Sequence, residues 1–78
     1  MTPKKHPLLL KFGHAVRNER RKMNISQEKL AELADLHRTY IGMIERAEKN
    51  ITLLNIEKLS KALKIPLSVL IKKTDKSG

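Results

Sequence analysis

Apolar residues recur along most of the chain at three- and four-residue intervals, the spacing of a helix with one buried face. Nowhere do they alternate as a half-buried strand requires. Leu8, Leu9, Phe12, Val16 and Met23 line one side of a first helix predicted over residues 7–23, leaving Lys11, His14, Arg17, Asn18 and Arg21 to water. Pro7 suits its first turn, where no amide hydrogen is needed, and Asn24 suits its end because asparagine tolerates the left-handed conformation. Ser26 caps a second helix over residues 27–34, with Leu30, Ala31 and Ala34 inward and Glu28, Lys29 and Glu32 outward. It is a simple serine cap, since Lys29 stands where a capping box needs Glu or Gln. A short break at residues 35–37 precedes a third helix over 38–46. That helix buries Ile41 and Ile44 and points Arg38, Thr39, Tyr40 and Met43 elsewhere. Thr52 caps a fourth helix whose Leu53, Ile56, Leu59, Ser60 and Leu63 form its inner stripe. Pro66 ends the fourth helix and starts a short fifth, to residue 71. The expected organisation is a flexible basic arm over residues 1–6, an all-α domain over 7–72 and a disordered tail over 73–78.

A chain of 78 residues with 40% apolar composition holds one compact domain with a modest core. Domains this small gain stability by pairing, so a dimer is a natural expectation. The net charge of +9 favours polyanions, nucleic acid ahead of an anionic membrane surface, although solvated lysines would give the same count. Residues 1–24 carry +6, residues 25–50 carry −1 and residues 51–78 carry +4. Basic flanks around a near-neutral centre suit a protein that grips phosphates on either side of a reading element. There is no cysteine, so disulfides and thiolate metal sites are excluded. The apolar run Leu8, Leu9, Leu10 is too short for a signal-peptide core or a membrane span, and a cytoplasmic location is expected. His6, His14 and His37 show no metal-ligand spacing with carboxylates, and no glycine-rich phosphate loop is present, so neither an enzyme nor a cofactor is expected.

Residues 26–46, SQEKLAELADLHRTYIGMIER, set two short amphipathic helices on either side of a tight break, with Ala31 and Gly42 as small residues for close approach. Such a pair leaves the first turn of its second helix projecting, and a helix about 10–12 Å across fits the major groove.

These residues carry a resemblance. Ser26-Gln27-Glu28 with Leu30-Ala31, Tyr40-Ile41 followed by Ile44-Glu45-Arg46, and Ala62-Leu63 before Ile65-Pro66 resemble the Xre, Cro and phage-repressor class of helix-turn-helix regulators over residues 12–70. Within that class, LHRTYIGMIER followed by Asn-Ile-Thr is similar to the controller proteins of restriction-modification systems. The resemblance implies a compact five-helix, lambda-repressor-like domain with helices 2 and 3 as the helix-turn-helix. It implies a transcriptional regulator of its own operon and the nuclease gene. The implied partners are a roughly palindromic double-stranded operator, a second copy of the chain and RNA polymerase, with no membrane.

Roles follow by position. Arg38 and Thr39 would meet base edges, Arg suiting the O6 and N7 of guanine, and His37 would enter the helix with a possible phosphate contact. Gln27 would bond a phosphate beside the helix dipole or simply lie next to the cap. Tyr40 would reach a phosphate or a thymine methyl, or cover the core with its ring. Met43 would touch a base or sit at the surface edge. Arg17, Arg46, Lys49 and Asn50 would hold phosphates or remain solvated. Arg20 and Glu45 would form a partly buried ion pair between helices 1 and 3. Ile51, Leu54, Val69 and Ile71 would face a second copy or finish the core. Two departures from the class are Asn24 and Ala47, both at places where glycine is usual. Alanine takes the left-handed conformation less easily, so the loop after helix 3 is expected to be set differently. The alternative reading is an antitoxin-type or phage-type repressor whose domain also binds a protein partner. A membrane-surface peptide is disfavoured because the apolar stripes of several helices interlock better as a globule.

Overall fold

The computed structural model describes residues 5–76, which form helices α1 (Pro7–Lys22), α2 (Gln27–Ala34), α3 (Arg38–Glu45), α4 (Leu53–Ala62) and α5 (Leu67–Lys76), with no strand among them. Three helix starts are fixed by side chains that accept from otherwise unsatisfied amides. The His6 Nδ1 accepts from the Leu8 amide at 3.1 Å, the Ser26 hydroxyl from Lys29 at 3.0 Å and the Thr52 hydroxyl from Asn55 at 3.2 Å. His37, which opens α3, supplies no such bond.

Every short connection turns through a non-glycine residue in the left-handed conformation: Asn24 (φ 59), Asp35 (φ 56), Ala47 (φ 60) and Lys64 (φ 61). The expectation that Ala47 would reset the loop after α3 is therefore not met. Ala47 takes the left-handed turn, which costs an alanine about 1–2 kcal/mol, and its neighbours close the exit with bonds from the Ala47 amide to the Ile44 carbonyl and from Glu48 to Met43.

The core joins all five helices through Phe12, Val16, Leu30, Ile41, Leu59 and Leu70, with Ala15, Ala31, Ala34, Ile44, Ala62 and Leu63 filling the gaps. Met23, Ile25, Leu36, Tyr40, Ile51, Ile56 and Ile65 cover it from the rim. Leu53 departs from the predicted stripe of α4: as the first residue of that helix it is 68% exposed. The glycine at which two helices come close also differs from expectation. A Cβ on Gly13 would lie 2.7 Å from the Ile44 carbonyl oxygen and 2.8 Å from that of Glu45, so α1 and α3 touch backbone to backbone there. At Gly42 a Cβ would meet only the movable guanidinium of Arg46.

The fifth helix is longer than its composition indicates. It continues through Lys76, so residues 73–76 are helical rather than tail, held by buried Thr74, whose hydroxyl donates to the Leu70 carbonyl at 2.9 Å. Residues 1–4 of the expected arm and residues 77–78 of the expected tail lie outside the described residues.

Candidate nucleic-acid interface

The segment Gln27 to Glu45 forms two helices of eight residues each, joined through left-handed Asp35. Along α3 the inward residues Ile41, Ile44 and Glu45 are buried, while His37, Arg38 and Thr39 at its start are exposed. The Arg38 side chain keeps 70% of its surface in solvent, with only a long 3.6 Å ion pair to equally exposed Glu28. Such a surface pair contributes little, which leaves the guanidinium able to turn to another acceptor. Met43 and Tyr40 are half-buried at the edges of the same helix.

One buried carboxylate sets the attitude of α3. Glu45 accepts from Arg20 through Nε at 2.8 Å and Nη2 at 3.1 Å, from the Gln27 amide at 3.1 Å and from Arg17 Nε at 3.3 Å. Its side chain has no exposed surface, whereas Arg20 retains 13% and Arg17 36%. Arg20 also donates to the Ile25 carbonyl at 3.0 Å, so its guanidinium spans the turn between α1 and α2. Burial acts to raise the Glu45 pKa, but hydrogen bonds from Arg20 and Gln27, the Arg20 charge and the Arg17 contact outweigh it. The carboxyl is held below its usual range. The hydrogen bond to Glu45 raises Arg20 in turn. Arg20 and Glu45 thus meet as a two-pronged pair, and Gln27 and Arg17 turn toward the same carboxylate.

Arg46, Lys49 and Asn50 are exposed just beyond α3. Arg46 bonds Glu48 at 3.1 Å, and that bond draws the exposed Glu48 carboxyl below its usual range. Lys5 donates to the Arg46 carbonyl, placing a further cation beside this loop.

The four apolar residues assigned to pairing do not share one face. Ile51 and Ile71 line the same cavity of about 330 Å³, with Leu8, Leu9, Phe12 and Ile56, and Leu54 is 73% exposed. Val69 precedes Ile71 by two residues and so lies about 200° from it around α5.

One residue next to the site escaped the sequence reading. Asn55, third in α4, donates from its amide to the Tyr40 hydroxyl at 3.0 Å, the one side-chain hydrogen bond joining α3 to α4 among the described residues. Its only trace in the sequence is a polar residue three places after the Thr52 cap.

The Helix-turn-helix family model matches residues 16–70. The chain is 62% identical over 55 residues to control protein C.BamHI of Bacillus amyloliquefaciens, covering 69% of this chain and 68% of that protein. Its fold is similar to the crystal structure of the restriction-modification controller protein C.AhdI from Aeromonas hydrophila. The TM-score is 0.78 at 45% identity, covering 80% of this chain and 94% of that one. It is likewise similar to the controller protein C.Esp1396I, solved as a tetramer with its natural 35 base-pair operator. There the TM-score is 0.82 at 33% identity, over 88% of this chain and 91% of that one. Family match, sequence identity and fold agree: the chain belongs to the helix-turn-helix family, among the restriction-modification controller proteins.

Proposed function

We propose that the chain binds double-stranded operator DNA as a dimer, reads each half-site with the start of α3, and regulates a restriction-modification operon that includes its own gene. The observation that carries this reading is the division within one helix. Ile41, Ile44 and Glu45 are locked inward while Arg38 and Thr39, at its opening, are held in solvent with almost nothing to bond. A helix anchored on one side and bare at its first turn is the shape that enters a major groove. That the similar controller protein C.Esp1396I was solved as a tetramer in complex with its natural operator supports operator binding by this chain.

In this reading Arg38 and Thr39 contact base edges, and Met43 touches the groove floor one turn later. His37, Tyr40, Arg46, Lys49 and Asn50 meet phosphates. Arg17 contributes its exposed edge to a phosphate, and Gln27 offers its backbone amide at the start of α2 while its side chain stays on Glu45. The second copy seats on Leu54, Ile51 and Ile71. Two reading helices then stand about 34 Å apart, matching one turn of DNA and a roughly palindromic site. The protein acts in the cytoplasm by binding, not by catalysis, and RNA polymerase is the partner through which it alters transcription.

Selection of bound sequences from random duplex DNA at fixed salt tests this. A symmetric consensus is expected. Arg38→Ala should relax preference at one position per half-site by about 1–3 kcal/mol. Equal losses of Arg38→Ala on cognate and random DNA would remove Arg38 from the reading role.

A further inference from the structure

We infer that Asn55 is a positioning residue that makes the Tyr40 hydroxyl a hydrogen-bond donor to a DNA phosphate. The inference rests on the reading of α3 as the DNA-contacting helix.

The geometry begins with α4. Thr52 caps its first turn by accepting from the Asn55 amide at 3.2 Å, which fixes the backbone from which the Asn55 side chain leaves. That side chain then donates to the Tyr40 hydroxyl oxygen at 3.0 Å. A phenol carries one hydrogen to give, and its oxygen accepts. With the acceptor side occupied by Asn55, the remaining hydrogen is turned away from Asn55 and left to donate outward. Tyr40 and Asn55 line an open groove with His37 and Arg38 on one side and Glu28, Glu32 and Asp35 on the other, so the outward direction leads to the surface that carries the start of α3.

The choice of phosphate over base follows from position around the helix. Thr39 and Met43 are four residues apart and share a face, which points to the groove floor. Tyr40 lies about 100° on from Thr39, toward the buried side that holds Ile44. A group at that boundary meets the wall of the groove, where the backbone runs, and phosphate oxygens are acceptors only. A hydroxyl preset to donate therefore matches its target before contact. The tie also joins α3 to α4, while the body of α3 packs against α1 and α2.

A double-mutant cycle decides it. Affinity is measured by fluorescence anisotropy for operator and random duplexes, with thermal melting of each variant alongside. Tyr40→Phe and Asn55→Ala should each weaken both duplexes by about 3- to 10-fold, the range of one hydrogen bond, without changing the ranking of operator sequences. Asn55→Ala in the Tyr40→Phe background should lose no more than either single change, because both remove the same contact. Independent losses that multiply, or a loss from Asn55→Ala that tracks only its melting temperature, would overturn the inference. So would relaxed base preference in Tyr40→Phe. Absence of duplex binding by the unsubstituted protein would instead overturn the underlying reading of α3.

Discussion

Glu45 is a single carboxylate answering to three donors from two other helices, which makes it the most consequential side chain in the molecule. Replacing a buried ion pair as a whole is often tolerated, but removing one partner strands the other. Arg20 is only 13% exposed, so Glu45→Ala should cost about 3 kcal/mol, the lower end for a buried pair because Arg17 and Arg20 still reach water. It should also lose operator affinity by letting α3 tilt. Denaturant unfolding beside a binding titration checks both, and normal stability with normal affinity would refute the structural role. The pH dependence has a definite sign. Because the folded-state pKa of Glu45 is depressed, its contribution is present above the usual carboxylate value and is lost as pH falls through the folded one. Unfolding free energy should therefore drop below about pH 4.5 in the native protein and drop less steeply in Glu45→Gln.

At the scale of elements, α1 and α3 run backbone to backbone at Gly13. Gly13→Ala would drive a methyl to 2.7 Å from a backbone oxygen that no rotamer change can move. The two helices must separate, and a loss of about 1–3 kcal/mol is expected from calorimetry or chemical denaturation, where Gly42→Ala should cost much less. Periodicity could not foretell this, since hydrophobic spacing records which face is buried and not how closely two backbones run. The sequence pattern favoured Gly42, which lies in the recognisable motif. Where a side chain does the work, the pattern reads well. Ser26 and Thr52 mark the starts of α2 and α4 to the residue, because a cap is a local hydrogen bond encoded by one side chain. The end of α5 was hidden for the opposite reason. Lys72, Lys73, Asp75 and Lys76 look like a solvated tail, and only the four-residue step from Leu70 to Thr74 betrays a buried stripe. Leu53 misled in the other direction: at the first position of α4 it belongs by spacing to the stripe, yet it projects past the body of the domain. Of the proposed interface, the exposed start of α3 was legible from the fixed offsets within the motif. The Asn55 to Tyr40 bond joins residues fifteen apart and leaves no periodic mark.

For the whole molecule, charge governs how strongly DNA is held. A net charge of +9 on so small a body gives steering toward a polyanion, and each phosphate neutralised releases condensed counterions. With Arg17, Arg46 and Lys49 of two copies on phosphates, operator affinity should fall about a thousandfold between 50 and 200 mM salt. A titration series across that range checks it, and a fall of less than tenfold would show that these cations stay in solvent. Base readout is far less dependent on salt than this grip. On the proposed reading the two are also carried by different atoms: phosphates by the basic residues around α3, preference by Arg38 and Thr39.

The exposure of Arg38 and Thr39 has an outcome for descent as well as for binding. Neither residue props up the interior, and the buried carboxylate that aims their helix sits seven positions beyond Arg38. If these two residues read the operator as proposed, a lineage can rewrite them while the scaffold under them stays unaltered. Taste for a new operator and soundness of the body are inherited as separate traits.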